Sequence, residues 1–377
     1  MATASACEPR IDVYERFEEA REDWRALFLC APSTPYQRYE YLSAWSDTLG
    51  QAKGLRPMIV VTRDAAGEAL ALLPLATRRV AGIRVAEFLG GRESNFNVAL
   101  VRPGARIDFR RVLLAAARCL PAGLDLFCLR NQPRLLEGVE NPLAALAARP
   151  SPSFAYGASL PADLDGLERS SSGRARKKLR SKVRRLSEAG EVILEHDARG
   201  ARAETVISAL VAQKSARLSG LGVGDNGFAA PQMRAFLLRL VHEGLLETHA
   251  LSLSGRILAT YVGLEHRGRF SLLANSFDMT EEWARLSPGE ILLADLLRHC
   301  VSRGRSYVDL GIGEARYKSA VCRETIELHD SVLPATPGGA LVAPLLRGCL
   351  AAKRCVKQSR AATRLIARAR LLGARRS

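Results

Sequence analysis

One short segment concentrates side chains that are capable of acid–base chemistry. The stretch SYVDLGIGEARYK contains Asp309, Glu314, Tyr317 and Lys318. A carboxylate there could act as a general base, the phenol as a general acid, and the ammonium as a partner for a phosphate or an oxyanion. The same pattern also fits a surface loop in which Glu314 and Lys318 pair at i, i+4 on one helical turn.

A second candidate site lies just upstream, where Ser287, Pro288, Gly289 and Glu290 precede an apolar run. The pattern predicts a helix over 288–302, with Ser287 as N-cap, Pro288 in the first position and Glu290 completing a capping box. The alternative is an anion site. Glycine is a poor helix former that leaves room for a ligand, and a helix N-terminus favours phosphate. The residues fit both interpretations.

A third group follows the apolar stretch FSLLA. Asn275, Phe277 and Asp278 end a predicted strand and are candidates for lining a substrate cleft. The chain has no P-loop, no His-Glu-x-x-His and no Cys/His cluster with zinc spacing, so no metal site is predicted. The six histidines are scattered, and we expect solvated or core roles for them, with His249 and His266 in strands.

The elements that must position these residues occur twice in the same order. Each half is predicted to run strand, turn, strand, strand, helix, strand, with little residue identity between the halves. The elements are strands 57–63, 69–79, 85–91 and 124–130 with helix 107–120, then strands 245–254, 257–266, 270–278 and 306–311 with helix 288–302. A duplicated α+β unit explains this order, with modules at 1–150 and 151–335 and a basic tail at 336–377.

The formal charge of +16 is concentrated in two places. The block GRARKKLRSKVRRL lies in a predicted amphipathic helix over 172–189. It fits a solvated face, or contact with an acidic substrate, an anionic membrane or nucleic acid. The block has no interleaved aromatic residue, which disfavours nucleic acid. The tail has ten basic residues from Arg347 to Arg376 among recurring leucines, which fits a helix lying on anionic lipid or a solubilising extension.

The remaining composition indicates a globular protein. The chain has 377 residues, 47% of them hydrophobic, and no run of about 18 apolar residues that would span a membrane. The N-terminus has no apolar region typical of a secretory signal, so we expect a cytoplasmic protein with reduced cysteines, peripheral to a membrane at most. Cys128 and Cys300 lie in apolar surroundings and are expected in the core.

The segment from Asn275 to Lys318 resembles the signature of the CelD-like, or BioF-like, branch of the GNAT acyltransferase superfamily. That pattern has Phe-Asp, then Ser-Pro-Gly opening a helix, then a strand with Asp, then Gly, an acidic residue and Tyr-Lys. The matching residues are Phe277, Asp278, Ser287, Pro288, Gly289, Asp309, Gly313, Glu314, Tyr317 and Lys318. The resemblance extends over roughly residues 10 to 330. It departs from the pattern at 312–314, where Ile-Gly-Glu replaces Arg-Gly-Asp.

This resemblance implies tandem GNAT-like modules and an N-acyltransferase that uses acyl-CoA or an acyl carrier protein to acylate an amine acceptor, in envelope polysaccharide or lipid synthesis. It implies that backbone amides of Ser287–Glu290 meet the pyrophosphate and that Glu314 or Asp309 is the base. Tyr317 would then protonate the thiolate or position the thioester, and Lys318 would hold phosphate or the oxyanion. Two alternatives stay open: a Fem-like transferase using aminoacyl-tRNA, and a non-catalytic scaffold.

Overall fold

The computed structural model describes residues 9–146, 148–221, 227–322 and 324–359. Within this part the chain forms two compact units. The first consists of the residues up to Phe154 together with Ile326–Ser359, and the second of Ala155–Thr325. Each unit contains its own mixed sheet flanked by helices, so the predicted α+β class is confirmed. No helix among the described residues is both long and apolar enough to cross a bilayer.

The secondary structure follows the predicted order. The strands are β1 (Arg10–Tyr14), β2 (Arg56–Arg63), β3 (Ala69–Val80), β4 (Ile83–Phe88), β5 (Leu100–Val101), β6 (Leu126–Pro133), β7 (Leu135–Leu136), β8 (Val139–Glu140), β9 (Arg149–Pro150), β10 (Ala155–Ser159), β11 (Val192–His196), β12 (Leu246–Leu253), β13 (Arg256–His266), β14 (Arg269–Phe277), β15 (Tyr307–Ile312), β16 (Glu324–Ile326) and β17 (Leu328–Pro334). The helices are α1 (Arg21–Cys30), α2 (Tyr39–Trp45), α3 (Phe109–Cys119), α4 (Leu164–Ser170), α5 (Gly173–Ser187), α6 (Gly200–Gly220), α7 (Pro231–His242), α8 (Glu281–Ala284), α9 (Pro288–Ser302), α10 (Arg316–Val321) and α11 (Pro337–Gln358).

The two large sheets have the same plan. The first has the order β1-β2-β3-β4-β6-β17-β9, and the second β11-β12-β13-β14-β15-β10-β16. Both begin with four antiparallel strands and continue with a parallel pair, β4 with β6 and β14 with β15. A helix connects each parallel pair, α3 in the first unit and α9 in the second. The predicted repeat of order is therefore present in the fold, as a tandem architecture.

The hairpins of the second sheet are closed by two-residue turns that the sequence indicated. Ser254–Gly255 joins β12 to β13, and Arg267–Gly268 joins β13 to β14. All four of these residues have positive φ, between 47° and 84°. Two consecutive left-handed residues form the turn whose twist matches antiparallel strands, and glycine adopts that conformation without steric cost. The first turn sets the register of β12 against β13, and the second sets that of β13 against β14.

Apolar side chains from both faces of the first sheet build its core. One face packs against α3 through Phe109, Val112 and Leu113, together with Phe127 of β6. The predicted strand 69–79 is buried on both sides over much of β3, as expected for a central strand. Cys128 and Cys300 are buried, as predicted.

The C-terminal boundary differs from the prediction. The segment after 335 was expected to be a separate tail, but α11 packs on the first sheet through Ala343 against Leu126, Cys128 and Val332. Strand β17 lies beside β6 in that sheet, so residues 326–359 belong to the first unit. The sequence prediction failed because adjacency along the chain does not reveal that β17 pairs with a strand some two hundred residues earlier. The basic stretch 360–377 lies outside the described residues.

Candidate active site

The parallel strands β14 and β15 separate along their length. They are hydrogen-bonded only over Arg269–Ser271 and Tyr307–Asp309. Beyond this, β14 continues through Leu272–Phe277 paired to β13, while β15 pairs on its other side with β10. The separation leaves the carboxyl-terminal part of β14 with a backbone edge that faces away from β13 and is not covered by β15. Ligands in α/β folds commonly bind outside the carboxyl ends of strands at such points.

The gap where β14 and β15 separate is the opening of this unit. The first turn of α9 lies beside the opening and is not capped as predicted. Ser287 adopts the left-handed conformation, with φ 57° and ψ 53°, and its side chain makes no capping hydrogen bond. A capping residue is normally extended, which directs its oxygen at the free N–H groups; here the left-handed backbone prevents this. Glu290 also does not reach back, because its carboxylate pairs with Lys182 of α5 at 2.5 Å. The capping-box prediction is therefore wrong.

The corresponding helix of the first unit has the opposite arrangement. Asp108 precedes α3, and its carboxylate accepts a hydrogen bond of 3.1 Å from the N–H of Arg111. A carboxylate at this position satisfies a free donor and places negative charge where an anionic ligand would bind. Of the two crossover helices, α9 is the one whose N-terminus is suited to an anion.

Three polar groups from different elements meet at the open edge of β14. Tyr261 and Asn275 are cross-strand partners on β13 and β14, so their side chains share one face of the sheet. The Tyr261 hydroxyl donates to the carbonyl oxygen of Gly289 at 3.2 Å. The Tyr317 hydroxyl, from α10, lies 3.5 Å from Oδ1 of Asn275, and the two tyrosine rings meet edge to face. The predicted residues Asn275, Gly289 and Tyr317 are thus brought together, joined by Tyr261.

Burial sets the protonation of these phenols. It raises the pKa of Tyr317 to about 12, against the opposing effect of the nearby Arg217 guanidinium. It also raises the pKa of Tyr261 far above its ordinary value. Both phenols therefore keep their protons at neutral pH and can act as hydrogen-bond donors.

Asp309 and Lys318 lie beneath the opening instead of lining it. Asp309 has no solvent exposure, and its Oδ1 accepts a hydrogen bond of 2.7 Å from the N–H of Gly311. Lys318 is 7% exposed and donates to the carbonyl oxygens of Gly311 (3.1 Å) and Ile312 (2.9 Å). Burial raises the pKa of Asp309 to about 6 and lowers that of Lys318 to about 8, while each opposite charge limits the other's shift. The pair holds the end of β15 in place.

The other predicted residues have different environments. Glu314 is exposed on the turn after β15, and the i, i+4 pair with Lys318 is replaced by the carbonyl contacts of that lysine. Asp278 is 8% exposed and is engaged by Arg256 at 2.6 Å and by the N–H of Thr280 at 2.9 Å. Phe277 lies 3.7 Å from the position that a Cβ on Gly289 would take. Asp278 therefore closes the turn after β14, whereas Phe277 lines the opening.

Comparison with known proteins agrees with this geometry. Residues 173–319 match the family model described as an acetyltransferase (GNAT) domain. The chain contains a GNAT N-acyltransferase domain. No curated protein matches the chain.

Solved structures resemble this chain over most of its length. FemX superposes with a TM-score of 0.59 at 11% identity, covering 88% of this chain and 98% of that one. The structure of L-PGS from Bacillus licheniformis superposes with a TM-score of 0.52 at 11% identity, covering 88% of this chain and 97% of that one. The C-terminal domain of a putative lysylphosphatidylglycerol synthetase from Agrobacterium fabrum superposes with a TM-score of 0.50 at 11% identity. That match covers 88% of this chain and 95% of the other. At this identity the likeness shows the fold.

Helix α6 of the GNAT domain contributes residues that the sequence analysis did not single out. Lys214 donates to the carbonyl oxygen of Asn275 at 3.3 Å, and Arg217 lies 5.2 Å from the ring centre of Phe277. Gln213 bonds Ser276 at 2.7 Å and Ile257 O at 2.8 Å, which fixes the helix on the sheet. The spacing of Leu210, Gln213 and Arg217 along one helical face was the available signal.

Three histidines of the GNAT domain cluster in the cross-strand row that also contains Tyr261, because His249 is the cross-strand partner of both His196 and Tyr261. Nδ1 of His196 lies 3.0 Å from Nδ1 of His249, and His299 stacks on His196 with ring centres 4.3 Å apart. Burial and the neighbouring positive charges lower the pKa of His249, and they lower that of His299 to about 4. Among the described residues no group of three or more such side chains is arranged to hold a metal ion. The expected core role fits His249.

Proposed function

We propose that the GNAT domain transfers an acyl group from the thioester of acyl-CoA to an amine at the opening between β14 and β15. The observation that carries the proposal is the uncapped first turn of α9 beside the free edge of β14. In the first unit, Asp108 occupies the equivalent position. We therefore assign the donor site to the second unit alone.

The residues present fit the phosphates of such a donor. Within the described part of the chain, the N–H of Gly289 has no hydrogen-bond partner. The absence of a side chain at Gly289 leaves the approach beside Phe277 clear. Because Lys182 holds Glu290, the one acidic side chain of this turn is partly neutralised. These features support an anion site at this turn through the N–H of Gly289 and the helix dipole. The predicted contribution of the other amides of Ser287–Glu290 is not supported, because the N–H groups of Ser287 and Glu290 donate to the carbonyl oxygens of Ala284 and Ser287, and Pro288 has none.

The chemistry requires a new C–N bond, cleavage of the C–S bond, loss of a proton by the amine and gain of one by the departing thiolate. Tyr317 holds its proton at neutral pH and faces the opening, so it is suited to protonate or hydrogen-bond the sulfur. The exposed carboxylate of Glu314 is the better candidate for the base. Asp309 is sealed from solvent and accepts a hydrogen bond from the N–H of Gly311, so we assign it to the shape of β15 and not to proton transfer.

Acyl-CoA thioesters of increasing chain length test the donor, with free coenzyme A as the reference ligand. Thermal unfolding should shift upward with a ligand that binds the folded domain, by about 2.7 kcal/mol at a hundredfold excess over its dissociation constant. Release of the thiol, measured with a panel of amines, tests the transfer. A lack of stabilisation by every acyl-CoA and every acylated carrier protein would exclude this function.

One observation favours a second candidate, transfer from aminoacyl-tRNA. Helix α5 has an exposed basic face, and Arg174, Lys177, Lys178 and Arg180 make no ion pair with the described residues. Such a face fits a polyanion, and FemX and L-PGS share the fold. Salt-sensitive binding of tRNA, together with no stabilisation by acyl-CoA, would favour this alternative. A protein stabilised by neither ligand would fit the scaffold hypothesis.

A further inference from the structure

Two cations of α6, Lys214 and Arg217, lie at the opening of the GNAT domain. Lys318 of α10 lies beneath them. Lys214 contacts the carbonyl oxygen of Asn275 at 3.3 Å and lies 4.5 Å from the ring centre of Phe228. Arg217 lies over the ring of Phe277. Neither of the α6 cations has an ion pair with a carboxylate among the described residues.

The charges are close enough to act on one another. Burial and the nearby positive charges of Arg217 and Lys318 lower the pKa of Lys214 to about 8. The α6 segment from Thr205 to Gly220 contains no acidic residue that could neutralise them. Asp309 balances Lys318 from below, on the side away from solvent. Two partly buried cations with no acid therefore face the same opening, an arrangement that an anionic ligand would stabilise.

We propose that Lys214 and Arg217 bind an acidic group, a phosphate or a carboxylate, on the amine acceptor. This inference rests on the proposed acyl transfer and specifies the class of acceptor. The thioester end of the donor is uncharged, and the donor's phosphates are assigned to the first turn of α9. Lys214 lies instead at Asn275, the residue whose side chain faces Tyr317. An anion at this end of the opening belongs to the acceptor.

Binding of inorganic phosphate is the first test, because it does not depend on turnover. Thermal unfolding is followed with phosphate against chloride at constant ionic strength, in the presence of saturating coenzyme A. The wild type should be stabilised, and Lys214→Met and Arg217→Met should weaken phosphate binding by at least about tenfold, the effect of losing one charged hydrogen bond. Arg234→Met, which removes a positive charge from the exposed face of α7, is the control and should bind like wild type.

Two outcomes of this measurement would overturn the inference. Equal phosphate binding by all four proteins would show that the α6 cations do not form the site. A phosphate response that appears only without coenzyme A would show that the anion site belongs to the donor's phosphates.

Matched amines test the acceptor class. O-phosphoethanolamine is compared with ethanolamine, β-alanine with propylamine, and glucosamine 6-phosphate with glucosamine, by thiol release from acyl-CoA. The acidic member of at least one pair should have a kcat/KM about tenfold higher or more, and the preference should disappear in Lys214→Met and Arg217→Met. Equal use of both members of every active pair would overturn the acceptor class and leave the proposed transfer intact. If no amine is acylated and no acyl-CoA binds, the proposed function fails, and the acceptor assignment that rests on it fails with it.

Discussion

The hydroxyl of Tyr261 donates a hydrogen bond to the carbonyl oxygen of Gly289, 3.2 Å away. This bond ties the middle of β13 to the first turn of α9, the turn whose Gly289 N–H is assigned to the donor's phosphates. Tyr261 is 1% exposed, so the bond is shielded from water. The position of the candidate anion site therefore depends on a side chain that lies outside every sequence motif we identified.

Tyr261→Phe should loosen this turn. We expect a loss of about 1 kcal/mol in the free energy of unfolding, the usual contribution of one hydrogen bond. The dissociation constant for acyl-CoA should rise several-fold. Tyr39→Phe, which removes a hydroxyl bonded to Arg21 in the first unit, serves as control and should leave that constant unchanged. Unaltered acyl-CoA binding by Tyr261→Phe would contradict the assignment.

Gly289→Val should block the donor without unfolding the domain. A Cβ at this position meets Phe277 at 3.7 Å, an ordinary contact, and the backbone is helical. We expect acyl-CoA binding to weaken by at least about tenfold, or about 1.4 kcal/mol, with thermal stability maintained. Gly348→Val, in α11 where no atom lies within 4 Å of the added Cβ, is the control. If Gly289→Val binds acyl-CoA as tightly as the wild type, the first turn of α9 is not the anion site.

Tyr317→Phe should separate catalysis from binding. The ring is kept and the hydroxyl, 3.5 Å from Asn275, is removed. At saturating donor we expect turnover to fall by at least about tenfold, within the range of general acid catalysis, with little change in acyl-CoA affinity or stability. Normal turnover would exclude the phenol from the reaction.

The structure changes what should be expected of Lys318. Because its ammonium is bonded to two backbone carbonyls, Lys318→Met should lower the free energy of unfolding by about 1–3 kcal/mol, along with turnover. Chemical denaturation measures this loss. A variant with full stability but reduced turnover would instead return Lys318 to the role of a direct phosphate or oxyanion partner.

Asp309 should give the stability a recognisable pH dependence. Its folded pKa of about 6 lies above the reference value of 3.8, so the folded state holds the proton more tightly than the unfolded state. The protonated carboxyl group contributes up to about 3 kcal/mol to the free energy of unfolding below pH 4, and this contribution is lost as the pH rises to 6. Relative to Asp309→Asn, the wild type should lose stability across this window in denaturant titrations. If the free energies of unfolding of the two proteins differ by the same amount at every pH in this window, the pKa of Asp309 is not raised.

The basic C-terminus can be tested without disturbing the first unit. Leu350 packs against the sheet and Arg354 donates to the carbonyl of Ser151, so a truncation must lie beyond α11. Removing the residues after Ser359 takes away six arginines. We expect loss of salt-sensitive binding to anionic vesicles, since each basic residue near such a surface contributes about 1 kcal/mol. If the full-length protein does not bind these vesicles at low salt, the segment is not a membrane-binding element.

Local pattern and composition were sufficient to determine the elements and their order. The predicted helix 288–302 has the observed bounds, the turns Ser254–Gly255 and Arg267–Gly268 are present, and the repeated α+β order appears as two sheets of one plan. These features depend on hydrophobic period and turn chemistry, which neighbouring residues determine. The resemblance around 275–318 likewise lies in one continuous stretch of chain.

Tertiary structure decided what those residues face. Ser287 and Glu290 have the sequence of a capping box, but a left-handed backbone and an ion pair to Lys182 leave the turn uncapped. Asp309 is buried and therefore not accessible to a substrate. The packing of α6 on the sheet places Lys214 and Arg217 at the opening. Capping geometry, burial and the approach of distant charges arise from contacts between residues far apart in the chain. No local pattern specifies such contacts, which is why only the fold could assign these side chains their surroundings.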